Sequence, residues 1–137
     1  MKVFISSHGS LASGLKSSME ILYGRCEYIT VFDAYMDERS VESQLDAFFE
    51  TVEEEEQVFL ISDLYGSSVN QVMCRYANHP NTTLIAGANL ALVLGLAGRE
   101  SITKEELEEL IEQSRQMLRI VDMDQVKEED CSEDDFF

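Results

Sequence analysis

The chain has 137 residues, 45% of them hydrophobic and 27% charged. That suffices for one domain burying about two thirds of its unfolded surface, with no need of disulfides or a structural metal. Ten Lys and Arg against 27 Asp and Glu give a net charge of −17, which repels phosphate backbones and anionic lipid and argues against nucleic-acid or membrane-surface partners.

Lys2 to Ser7 is a short apolar run and predicts the first strand. Leu11, Leu15, Met19 and Leu22 then share one face of a helix that stops near Gly24. Tyr28 to Phe32 predicts a second strand, and Val41, Leu45, Phe48, Phe49 and Val52 mark a second helix. Gln57 to Ser62 is the third strand; Val69, Val72, Met73, Tyr76 and Ala77 mark a third helix, closed by Pro80. Thr82 to Ala86 is the fourth strand, and Leu90 to Leu96 a short, more apolar helix. Ser101 and Thr103 ahead of Glu105 and Glu106 start a last helix, with Leu107, Leu110, Ile111, Met117 and Leu118 as its stripe. Apolar residues run continuously through the strands, as they do when both faces are covered. The expected fold is α/β, a single doubly wound, mostly parallel four-stranded sheet flanked by helices.

The widely spaced Cys26, Cys74 and Cys131 form no ligand-like motif and suit reduced thiols in a cytosolic protein. Met1 to Ile5 is too short for a signal-peptide core. Leu84 to Gly98, interrupted by Asn89, falls short of the roughly 20 residues of a spanning helix. A cytoplasmic location is expected.

Right-handed crossovers place every loop that follows a strand along the carboxyl edge of the sheet, where ligands gather. Two of those loops carry chemistry. The first strand runs into His8-Gly9-Ser10, and the third ends at Asp63 ahead of Gly66-Ser67-Ser68. A neutral imidazole is a good nucleophile near pH 7, because its ordinary pKa is about 6.5. A carboxylate bonded to one ring N–H fixes the tautomer and stabilises the cation formed on attack. Hydroxyl and backbone N–H donors can surround a transferring phosphoryl group, and Gly9 and Gly66 would let the backbone approach it. Each feature also has a plain reading: His8 as a surface residue, Asp63 as a helix cap, and Gly66-Ser67-Ser68 as an ordinary helix start. His79, before Pro80, reads as an exposed helix-end residue. No metal ligands accompany either histidine, and no metal or cofactor is expected.

Three blocks carry a resemblance. S-S-H-G-S-L-A-S-G-L-K-S-S-M-E-I-L-Y-G (6–24), L-I-S-D-L-Y-G-S-S-V-N (60–70) and I-A-G-A-N-L-A-L-V-L (85–94) occur in the order and spacing of the mannose-family enzyme IIA domains of the bacterial sugar phosphotransferase system. The resemblance spans residues 1 to about 121. It implies that His8 carries a phosphoryl group, accepted from the phosphocarrier HPr and passed to a IIB component on a separate chain. That component serves sugar uptake through the membrane IIC and IID subunits. The resemblance also implies that Asp63 orients the imidazole and that Ser68 helps surround the phosphoryl group, with Gly9, Ser10, Gly66 and Ser67 as further candidates. Family members are usually homodimers that exchange a short C-terminal strand, for which Arg119 to Met123 is the candidate here. Departures fall in the loops: Ser67 replaces the second glycine, Val69 the usual proline, and Ala91 a second proline. The alternative is a regulatory module or a dihydroxyacetone-kinase-type phosphotransfer module of the same fold; Gly9, where that kinase subunit has Ser, favours the sugar branch.

Residues 122–137 hold eight acidic side chains against one lysine and no apolar period, and are expected to form a mostly disordered tail after the 1–121 domain. Phe136 and Phe137 read as a frayed end rather than a docking handle.

Overall fold

The computed structural model describes residues 1–128; Cys131, Phe136 and Phe137 lie outside them. Strands β1 (Lys2–His8), β2 (Ile29–Ala34), β3 (Val58–Ser62) and β4 (Thr82–Ala86) alternate with helices α1 (Leu11–Leu22), α2 (Val41–Glu50), α3 (Ser68–Cys74) and α4 (Leu90–Leu96). Helices α5 (Lys104–Gln116) and α6 (Met123–Glu128) follow. The sheet has the order β2-β1-β3-β4, and every pairing is parallel.

Successive side chains of a strand point to opposite faces, so a strand covered on both sides buries both sets. Val3 and Ile5 of β1 and Phe59 and Ile61 of β3 enter one core with Leu15 and Met19 of α1, Leu92 of α4 and Leu110 of α5. Phe4, Val58 and Leu60, the alternate residues, enter a second core with Leu45 and Phe48 of α2 and Val69 and Met73 of α3. Each fully buried Phe or Leu here contributes about 1.5–3 kcal/mol relative to exposure. The chain steps from β1 outward to β2, then back past β1 to β3 and on to β4. With right-handed crossovers, that reversal puts α1 on one face and α2 and α3 on the other. The reversal falls between β1 and β3, whose carboxyl ends therefore frame the crevice such sheets use for ligands.

The elements match the sequence reading in order and type, with differences at their ends. The first strand runs one residue further, to His8, because β1 pairs β2 as far as Ala34. The third helix ends at Cys74, short of Tyr76 and Ala77. Met117 and Leu118 do not continue the α5 stripe: the helix ends at Gln116, and both side chains are exposed. Arg119 to Met123 pairs with no strand among the described residues; Met123 opens α6, a short helix inside the stretch expected to be mostly disordered.

Candidate functional site

Two strand ends meet at the crevice. His8 is the last residue of β1, and Asp63 follows Ser62, the last of β3. Asp63 Oδ2 accepts two hydrogen bonds from the same residue, from the His8 backbone N–H at 2.8 Å and from the ring nitrogen Nδ1 at 2.8 Å. The carboxylate thus extends the β1–β3 ladder by one rung and holds the imidazole with the same oxygen. The Ser67 hydroxyl donates to its other oxygen at 3.3 Å. Burial pushes the Asp63 carboxyl up, but the His8 backbone N–H, its ring and Ser67 outweigh this and hold it below the ordinary carboxylate value.

The ionised carboxylate only accepts, so in the neutral ring Nδ1 carries the proton and Nε2 presents its lone pair. The Ser68 hydroxyl lies 3.3 Å from Nε2. The Asp63 side chain is 11% exposed and that of His8 50%. The carboxylate of the pair is therefore enclosed, while the imidazole is half exposed.

The loops are built to hold this geometry. Buried Ser7 donates to the Gly9 carbonyl at 2.9 Å and accepts the Ala12 N–H at 2.8 Å, which fixes the turn into α1. Gly9 has φ +60°, a region where only glycine is free of strain. Buried Asn70 donates to the Ser62 hydroxyl at 3.0 Å and accepts the Gly66 N–H at 3.1 Å, clamping the loop between β3 and α3. Ser67 caps α3, accepting the Asn70 N–H at 3.2 Å.

Of the residues singled out from sequence, His8, Asp63, Ser67 and Ser68 form one connected cluster. Gly9 and Gly66 shape the two turns, and their N–H groups are already committed, to the Ala34 carbonyl and to Asn70. Ser10 stands exposed at the N-cap of α1 with no side-chain capping bond. Asn70 stood in the second sequence block without a role. Tyr35 was not singled out at all, yet its ring lies 4.9 Å from that of His8 and its hydroxyl 2.5 Å from that of Ser68. His79 stacks on Phe49 with centroids 4.1 Å apart. Among the described residues no cluster of His, Cys, Asp or Glu could hold a metal ion, and no helix is long and apolar enough to cross a membrane.

Comparison with known proteins places this geometry in a family. The chain resembles in structure a protein of Klebsiella pneumoniae subsp. pneumoniae assigned as a phosphoenolpyruvate-dependent sugar phosphotransferase system permease. The two are 26% identical with a TM-score of 0.79, over 87% of this chain and 89% of that one. The mannose/sorbose-specific IIA subunit of the phosphotransferase system from Enterococcus faecalis shares the fold at 20% identity and TM-score 0.72, over 89% and 95% of the two chains. So does the IIA protein associated with the fucose utilization operon of Streptococcus pneumoniae, at 21% identity and TM-score 0.72, over 92% and 95%. No curated protein matches the sequence. The model of the PTS system fructose IIA component family matches residues 2–115, so the chain belongs to that family, the mannose-type enzyme IIA components of the sugar phosphotransferase system.

Proposed function

We propose that the protein is a phosphohistidine carrier, in which His8 Nε2 accepts a phosphoryl group from phospho-HPr and passes it to a IIB component on a separate chain. The observation that carries this reading is the line Asp63–His8–Ser68, with Asp63 bonded to Nδ1 and Nε2 turned to the Ser68 hydroxyl. In the step, the Nε2 lone pair attacks phosphorus as the bond to the donor's nitrogen breaks. The donor ring, protonated on its other nitrogen, leaves as neutral imidazole with that bonding pair, and its positive charge reappears on the His8 ring beside the Asp63 carboxylate. No proton changes hands, and positioning with electrostatics supplies the catalysis. Ser68 would pass its hydrogen bond from Nε2 to a phosphoryl oxygen, and Ser10, uncommitted at the rim, could add another.

Donor and acceptor must each reach the same nitrogen, so both would use one face. Leu11, Tyr35, Met36, Leu64 and Tyr65 are exposed in or beside the three loops around His8, the kind of apolar rim that marks a docking surface. The net charge of −17 favours partners with a basic patch. We further propose a homodimer, in which residues 119–123 of one copy lie along the open edge of β4 in the other.

Incubation with enzyme I, HPr and phosphoenolpyruvate, followed by intact-mass measurement, tests the reading. A single acid-labile phosphate, absent from His8→Ala, is the expected result. No added phosphate from a cognate HPr would overturn it and favour a regulatory module.

A further inference from the structure

Tyr35 is an unusual residue for its place. It follows Ala34, the last residue of β2, and has φ +65°. A bulky aromatic there carries strain of a kind that persists mainly at functional sites. Burial does not account for it, since Tyr35 is 63% exposed. What the left-handed turn achieves is to bring the ring beside His8, tilted 36° with centroids 4.9 Å apart. The hydroxyl then lies 2.5 Å from Ser68 Oγ, and Ser68 Oγ lies 3.3 Å from His8 Nε2.

For the neutral ring, the directions along this chain follow from its donors and acceptors. Ionised Asp63 keeps the ring proton on Nδ1, so Nε2 can only accept, and Ser68 must donate to it. A serine hydroxyl has one proton, so towards Tyr35 the Ser68 oxygen accepts and the phenol donates. We propose that Tyr35 is a positioning residue: by donating to Ser68 it leaves the serine proton one direction, toward Nε2 and the space that a phosphoryl oxygen would occupy. Hydrogen bonds in such a line also polarise one another. This inference rests on the phosphocarrier reading for its consequence, but not for its geometry. When the phosphoryl group moves from donor nitrogen to Nε2, the new N–P bond takes the lone pair that Ser68 had engaged. The Ser68 proton is then already aimed at the incoming oxygens, with Tyr35 still bonded behind it.

Two measurements on the full chain test this. The first is phosphoryl transfer from phospho-HPr to wild type, Tyr35→Phe, Ser68→Ala and the double variant. Tyr35→Phe should slow transfer about tenfold, the worth of one neutral hydrogen bond, and should cost nothing further once Ser68 is alanine. An equal loss in both backgrounds, or no loss in either, overturns the proposal. The second is the ¹⁵N spectrum of the unphosphorylated His8 ring. In Tyr35→Phe the Nε2 resonance should move toward that of a free acceptor nitrogen while Nδ1 stays in place; an unmoved Nε2 overturns the proposal. This arm needs no phosphate, so it decides the role of Tyr35 even if wild type accepts none and the phosphocarrier reading fails. Tyr35→Gly, which relieves the backbone, should melt no lower than wild type, and a clear drop would make Tyr35 a structural residue instead.

Discussion

Asp63 does two jobs with one oxygen, and they separate on mutation. Asp63→Asn keeps a side-chain carbonyl that can accept from His8, so the fold should persist. It removes the charge that opposes the imidazolium formed on transfer and admits the wrong tautomer, so transfer should slow by about a hundredfold or more. Because His8 and Ser67 hold the carboxyl below its ordinary value, its stabilisation is fully present above the unfolded value of about 3.9 and fades as pH falls through the folded one. Urea unfolding should therefore show a gap between wild type and Asp63→Asn at pH 7 that closes on strong acidification. Tyr28 gives the opposite case. Its hydroxyl is buried without a hydrogen-bond partner among the described residues, and burial first, then the charge of the neighbouring Cys26 thiolate, pushes its pKa up to about 12. Tyr28→Phe removes an unsatisfied group and should stabilise the protein by about 1 kcal/mol. It should also blunt the loss of stability that wild type shows above the ordinary tyrosine value of about 10. The pair His8 and Asp63 was legible in the sequence because both sit where apolar runs stop. Tyr35 was not, since nothing in F-D-A-Y-M-D marks a left-handed residue, and its partner Ser68 lies 33 positions away.

At the scale of elements, the loops after β3 and β4 are each pinned by an asparagine. Asn89 caps α4 by accepting the Leu92 N–H at 2.8 Å, and its amide donates to the Ser114 carbonyl near the end of α5 at 3.0 Å. One side chain thus starts one helix and anchors the next. Asn89→Ala loses the cap and one of the hydrogen bonds to the Ser114 carbonyl, which keeps the Met117 N–H at 3.3 Å, and should lower stability by about 1 kcal/mol in urea unfolding. It should do so without abolishing phosphorylation of His8, because β1 and β3 carry the site. The strands were legible because two-sided burial writes itself as an uninterrupted apolar run. The end of α5 was not: Met117 and Leu118 keep the helical spacing, but the chain has already turned at Gln116. Helix α6 was hidden by composition, since M-D-Q-V-K-E has the acidity of a tail and no apolar stripe. The role of Asn70 needed the loop itself, because its bond to Ser62 crosses eight positions that fold back on one another.

For the whole molecule, the open question of shape lies at the sheet edge away from β2. Strand β4 is terminal in the order β2-β1-β3-β4, so one side of its backbone lacks a ladder partner among the described residues, a state that proteins usually cover. Beside it runs a groove of about 600 Å³, lined by Thr83 and Ile85 of β4, by Leu107 and Ile111 of α5, and by Tyr65. Close in sequence, Leu118 is 90% and Ile120 95% exposed, with Val121 also outside. An apolar segment without cover and a strand edge without a partner are complementary, and two copies can satisfy both by a reciprocal exchange. Light scattering should therefore give a dimer for the full chain and a monomer for a chain ending at Gln116. Salt gives a second handle. Each copy carries −17, so the dimer forms against repulsion and should tighten as salt rises. Association with a basic carrier at the His8 face is an attraction and should weaken over the same range. Opposite salt slopes for the two interfaces are the expected outcome. A full-length chain that stays monomeric at high salt would leave the β4 edge open and defeat the exchange.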